Sequence, residues 1–186
     1  MSQRKRSAND PDRRERIIEA ALEVIAERGV HMTTHRHIAE RAQVPLGSVT
    51  YYFDNLTQIL EEAFRLLART MSDQYHAALA EAVTHDQICS ALTELVCGNT
   101  YATPLQMTAM IEMYSYSAHN AAVAGLTREW MDASRGSLSL HFQEPLIRTL
   151  DALIEGWTLH RFLEQQTPDR RLVLRVIDTL TREFEE

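Results

Sequence analysis

Apolar residues recur three and four positions apart along nearly the whole chain, and stretches alternating with a period of two are almost absent. Such spacing lays a stripe along one face of a helix, whereas a strand would send successive residues to opposite faces. The pattern commits the chain to an all-α fold. Glycine and proline are few, six and five in 186 residues, and are expected at element ends. About nine helices are expected.

The first helix is expected to begin near Asp10-Pro11, a cap residue followed by a proline suited to the first helical position. Ile17, Ile18, Ala21, Leu22, Val24 and Ile25 form its stripe, and Gly29 ends it in a left-handed conformation. A short second helix follows Thr34 as N-cap and ends near Ala42, with Ile38 and Ala39 inward. A third runs from Pro45 to about Tyr51. Asn55 or Thr57 caps a long fourth helix with Leu60, Phe64, Leu67, Met71 and Tyr75 inward. Further helices are expected near 84–98, 104–117, 120–142, 145–165 and 168–185.

Net charge is −7, but its distribution is uneven. Residues 1–53 carry +2 and the remainder −9. Six of the first sixteen residues are basic and three acidic. A basic head on an acidic body fits a DNA-binding segment; a solubilising tail fits the charge equally. Two short helices joined by a tight turn, with a third behind, make a helix-turn-helix, whose second helix enters the major groove. Here that helix carries Gly47 and Ser48, small enough for close approach, with Val49 as inward anchor.

The order Arg16-Ile17-Ile18-Glu19-Ala20-Ala21, Gly29, Thr33-Thr34, Ile38-Ala39, Val44, Gly47-Ser48-Val49 and Tyr52-Phe53 closely resembles the DNA-binding head of the TetR/AcrR regulators. The likeness covers roughly residues 12–60. Ala152-Leu153-Ile154-Glu155-Gly156 is similar to the family's penultimate helix. The resemblance implies a homodimer on a near-palindromic double-stranded operator, with a C-terminal domain that senses an effector. By position it implies that Thr34 caps its helix and touches a phosphate, that Arg36 reaches the major groove, and that Leu46, Ser48, Thr50 and Tyr51 face DNA. Tyr52 falls at a phosphate-binding position and Phe53 at a buried aromatic. Two residues depart from the pattern: Thr50 replaces a common tyrosine, and Leu56 replaces a common phosphate-binding lysine. Arg4, Lys5 and Arg6, on an arm of residues 1–10, are expected to compensate, as minor-groove arms of other helix-turn-helix proteins do. Alternatives stand beside these roles: Tyr52 as a core aromatic, and Arg36 as the partner of Glu40 one turn on. The implied division is an arm (1–10), a DNA-binding head (11–54) and a sensing and dimerising body (55–186).

In the body, Met107, Met110, Met113 and Tyr114 form a stripe suited either to a core or to an adaptable pocket. Phe64, Leu67, Met71, Tyr75, Tyr101, Trp130 and Trp157 are further candidate walls for a small apolar effector. His119, His160, Glu112 and Glu155 are candidate polar groups in it. The last two helices are apolar beyond one stripe, so they are read as a dimer interface, with Leu146, Leu150, Leu153, Gly156, Trp157, Leu172, Val176 and Leu180; an internal helix pair is the alternative. A regulator without a small-molecule effector and a helical interaction module with an inactive head are the rival functions.

Other classes find little support. No phosphate loop, metalloprotease motif, Cys-x-x-Cys or nucleophile elbow occurs, so neither enzyme, cofactor nor metal is expected. His35 and His37 are two apart and face different sides of a helix. Cys89 and Cys97 would stand about 12 Å apart on one helix, beyond the ~7 Å disulfide limit, and are expected reduced; a redox sensor is the alternative. No apolar run approaches the ~18 residues of a membrane span and no signal-peptide pattern precedes the first helix, which implies the cytoplasm.

Overall fold

The computed structural model describes residues 12–184. Over them run nine α-helices: α1 (Arg13–Arg28), α2 (His35–Arg41), α3 (Leu46–Tyr52), α4 (Leu56–Ala80), α5 (His85–Cys97), α6 (Pro104–Ser117), α7 (Ala121–Leu138), α8 (Leu146–Glu164) and α9 (Arg170–Glu183). A 3₁₀ turn, Val30–Met32, follows α1, and there is no strand among the described residues. No helix among them is long and apolar enough to cross a membrane.

Helix starts follow local chemistry. Thr34, Thr84, Thr103 and Asn120 each accept a backbone N–H three residues on. Gln87 and Gln106 return the bond as capping boxes. Asn55, not Thr57, caps α4: its Oδ1 accepts Gln58 N–H at 2.9 Å, while Gln58 Oε1 accepts Asp54 N–H at 2.8 Å. α1 begins later than expected, after Asp12; residues 10 and 11 lie outside the described residues, as does the arm with Arg4, Lys5 and Arg6. α7 ends before the expected 142. The amides of His141 and Phe142 both turn back to the Leu138 carbonyl, which drops Phe142 into the core.

Gly29 stops α1 with a conformation other than the expected left-handed one. Its φ of 77° is positive, but its ψ of 162° is extended. The next amide, Val30 N–H, then points away from the helix and is accepted by Glu112 of α6 at 2.8 Å. A Cβ on Gly29 would lie 3.2 Å from Glu112 Oε1 and 3.2 Å from His31 Nδ1.

α4 joins head and body. Its 25 residues extend about 37 Å at ~1.5 Å per residue. Ile59, Leu60, Ala63, Phe64, Leu67, Met71, Tyr75 and Leu79 form one buried stripe along it. The first part packs on α1, the rest on α5, α6 and α7. A single cluster therefore runs from Ile17 in α1 to Ile177 in α9. Arg161 of α8 fastens the α5–α6 connection: its guanidinium donates to the carbonyls of Val96, Gly98, Tyr101 and Ala102 at 2.6–3.1 Å. Partial burial lowers its pKa, but those four acceptors hold the charge in place.

Two stability changes follow. Gly29→Ala forces a side chain into a positive-φ extended conformation beside Glu112 and should lower the free energy of urea unfolding by about 1–2 kcal/mol. Arg161→Met keeps the aliphatic stem but strands four carbonyls, and should cost about 1–3 kcal/mol in the same measurement.

Candidate DNA interface and body cavity

α3 is seven residues long and is held from behind by two side chains. Val49 is wholly buried and Phe53, just past the helix, is 2 % exposed. A helix anchored on one side presents the opposite side to solvent: Leu46 is 46 % and Tyr51 80 % exposed, and Thr50 is exposed with its hydroxyl turned to the Gly47 carbonyl at 3.4 Å. Ser48 is half-buried. Tyr52 is also half-buried; it packs on the core and sits edge-on to Tyr51, ring centroids 5.1 Å apart. The structure therefore places the Tyr52 ring against the core while leaving it partly exposed.

Thr34 Oγ1 accepts His37 N–H at 3.2 Å, so it caps α2. Arg36 is exposed on α2, and no ion pair joins it to Glu40 among the described residues. Arg41, by contrast, is tied to α1 by Glu23 at 2.9 Å and by Glu27. Leu56, at the position of the family's common phosphate-binding lysine, packs on the core and brings no charge. Residues 12–53 hold six arginines and six acidic residues, and Asp54 brings the described head to −1.

The body contains a small internal cavity of ≈ 20 Å³ between α4, α6, α7 and α8. Among the expected walls, Met71, Tyr75, Tyr101, Met110, Trp130 and Glu155 line it. Phe64, Leu67, Met107 and Met113 do not; they are buried in packed core beside it. Trp157 lies on the half-buried side of α8, off the cavity. His119 and His160 are exposed, and Glu112 is the acceptor of Val30 rather than a cavity group.

The acidic groups of this cavity are its main surprise. Asp151, 8 % exposed, accepts from Ser134 and pairs with Arg135 Nε at 2.9 Å. The Tyr114 hydroxyl donates to Glu155 Oε1 at 2.5 Å. The Tyr75 hydroxyl, fully enclosed, has no hydrogen-bond partner among the described residues. Burial first, and neighbouring phenol or carboxylate groups second, push the Tyr75, Tyr101 and Tyr114 phenols well above their ordinary range. They stay neutral at working pH. Spacing along the sequence gives no hint of Asp151, since its partner Arg135 lies sixteen residues earlier on another helix. A second, outer groove of about 270 Å³ lies between Asn99–Pro104 and Arg161–Thr167, and Tyr101 lines both spaces.

The expected dimer residues divide. Leu146 and Leu150 are buried inside their own chain, 3 % and 0 % exposed, on the inward stripe of α8. Leu153, Gly156, Val176 and Leu180 stay half-buried and Leu172 is 51 % exposed. A Cβ at Gly156 would meet nothing within 4 Å.

Both cysteines are free thiols. Burial raises both thiol pKa values, which leaves them protonated and poorly reactive. Cys89 Sγ, His85 Nε2 and an Asp178 carboxylate oxygen converge within 4.8 Å of one another across α5 and α9. Those three are a group that can hold a metal ion; His85 Nε2 and Asp178 Oδ1 already lie at hydrogen-bond distance, 2.8 Å.

Known proteins match this geometry. The family described as "Bacterial regulatory proteins, tetR family" matches residues 17–67. The transcriptional regulator BetI of Klebsiella pneumoniae is 30 % identical over 173 residues, covering 87 % of this chain and 88 % of that protein. A transcriptional regulator of Streptomyces coelicolor, SCO7518, superposes with a TM-score of 0.82 at 40 % identity, covering 92 % of this chain and 99 % of that one. The multidrug binding protein EbrR in its ethidium complex superposes with a TM-score of 0.74 at 25 % identity, covering 90 % and 98 %. With an all-helical body behind an N-terminal helix-turn-helix and this degree of identity along nearly its whole length, the chain belongs to the TetR family of DNA-binding transcriptional regulators.

Proposed function

We propose that the protein binds a near-palindromic operator as a homodimer, placing one α3 in each of two major grooves that face the same side of the duplex. The observation that carries this is the exposure of Tyr51. A tyrosine left 80 % exposed on a seven-residue helix contributes nothing to the core, while Val49 and Phe53 hold the helix without it. In this reading Leu46, Ser48, Thr50 and Tyr51 face the bases, Arg36 enters the groove edge, and Thr34 and Tyr52 hold phosphates. Phosphate contacts set the register and base contacts carry the sequence information. Two recognition helices serve such an operator when roughly 34–36 Å apart. The outward residues Leu153, Gly156, Leu172, Val176 and Leu180 of α8 and α9 support a four-helix dimer interface.

The same reading gives the body cavity to an effector, supported by the multidrug binding of EbrR. Any ligand larger than the cavity must spread α4, α6, α7 and α8. α4 runs into the head, and α6 reaches it through Glu112 and Val30, so spreading the body alters how the two α3 helices are held. Ligand and operator then oppose each other through one reciprocal coupling free energy.

The test is a titration of labelled duplex from the chain's own upstream region. Tyr51→Ala and Arg36→Ala should each weaken specific binding at least about tenfold, or ~1.4 kcal/mol, while unfolding stays within ~0.5 kcal/mol because both side chains are exposed. Absence of sequence-specific binding by the unaltered protein at moderate salt would remove the DNA-binding reading. Because residues 12–53 are neutral overall, Arg4, Lys5 and Arg6 are assigned much of the phosphate neutralisation. Deleting residues 2–9 should weaken binding and flatten the plot of log affinity against log salt by about 0.9 for each phosphate that the arm neutralises. An unchanged slope takes the arm out of the interface.

A further inference from the structure

We propose that His85, Cys89 and Asp178 hold a Zn²⁺ ion, and that this ion clamps α9 against α5. The site lies apart from the body cavity and does not depend on an effector there.

Three ligand atoms converge from two helices. His85 and Cys89 stand four apart on α5, so their side chains leave the same face. Asp178 reaches them from α9, 93 residues beyond His85. His85 Nε2 lies 2.8 Å from Asp178 Oδ1 and 3.4 Å from Cys89 Sγ, and the three ligand atoms all fall within 4.8 Å of one another. One ring nitrogen carries either a proton or a lone pair. With the proton, Nε2 serves the carboxylate and cannot accept from the thiol. With the lone pair, it can accept from the thiol but faces the lone pairs of the carboxylate. A cation between the three takes a lone pair from each.

The donor set selects the metal. Thiolate, imidazole and carboxylate together suit Zn²⁺, whereas Mg²⁺ and Ca²⁺ take oxygen ligands. Zn–N and Zn–O bonds of about 2.0–2.2 Å and a Zn–S bond of about 2.3 Å, at tetrahedral angles, put neighbouring ligand atoms roughly 3.3–3.6 Å apart. The separation of Nε2 and Sγ already fits. The separation of Nε2 and Oδ1 opens by about 0.5 Å, a small turn of the partly exposed Asp178 carboxylate. On binding, the ion displaces the thiol proton to solvent. Three protein ligands leave the fourth position to water. Arg182 Nε, 2.9 Å from Asp178 Oδ1, orients the carboxylate from the far side.

The clamp falls where α9 is thinly held. Its buried residues are Val173, Ile177 and Thr181, a single row spaced by one turn, and α9 packs mainly on α5. Asp178 adjoins that row. The ion therefore adds a bond between the two helices beside a narrow apolar contact.

Co²⁺ is the spectroscopic probe, titrated into the full-length protein after metal has been stripped and with a phosphine reductant present. One equivalent should give a thiolate-to-Co²⁺ charge-transfer band, which surface histidines alone do not give. An equivalent of Zn²⁺ should erase the band, and excess Mg²⁺ should not. Cys89→Ser should abolish it, and His85→Gln and Asp178→Asn should each weaken Co²⁺ binding at least tenfold, while Cys97→Ser changes neither. Zn²⁺ at a hundred times its Kd should raise Tm by about 5–10 °C. Absence of the band, its survival in Cys89→Ser or its loss in Cys97→Ser overturns the site. Where Cys89→Ser fails to fold, unchanged Co²⁺ affinity in both His85→Gln and Asp178→Asn overturns it. A bound ion with no rise in Tm overturns the clamp.

Discussion

The apolar stripe of α4 is the feature on which the rest of the molecule depends. Ile59, Leu60, Ala63 and Phe64 complete the head's core, and Leu67, Met71, Tyr75 and Leu79 complete the body's. Neither half has a full core without this helix. The head is three short helices, two of them only seven residues long, and helices so short draw their stability from tertiary packing. The orientation of α3 is therefore set by α2, on which it packs, and by the core that α1 and α4 share with Val49 and Phe53, and α4 in turn is packed on α7 along the cavity.

α6 provides a second and more specific tie. Its residue Glu112 accepts the Val30 amide at the end of α1, and Tyr114, two residues on, bonds Glu155 at the cavity. Neighbouring positions of one helix thus face the head and the body cavity. This arrangement depends on Gly29. Only with its positive φ and extended ψ does the chain leave α1 in a direction that delivers the Val30 amide to a carboxylate 82 residues away.

Local chemistry is legible in the sequence and long-range choice is not. The Thr34 cap, the Gly29 stop and the extent of α3 depend on residues within four positions of one another, and the chain shows them directly. Asn55 against Thr57 is undecidable from one position, but the reciprocal bond from Gln58 explains the outcome. Leu146 and Leu150 illustrate the limit. α8 is apolar on several sides, so composition cannot say which leucines turn inward. The choice follows from α5, α6 and α7 pressing on one face, leaving Leu153 and Gly156 on the other. The cavity is half legible for the same reason. Met71, Met110 and Trp130 announce an apolar space, whereas Asp151 is understandable only once Arg135 and Ser134 stand beside it. The resemblance identifies the head; spatial neighbours are needed to see the charge in the body.

The central claim is that a dimer reads DNA through two copies of α3 one helical turn apart. Repeated selection of the full-length protein on random-sequence duplexes, followed by sequencing, tests it most directly. The account predicts enrichment of an inverted repeat whose half-site centres lie about 10–10.5 base pairs, or a multiple of that, apart. Enrichment of a single unrepeated site, or of no sequence at all, would contradict it.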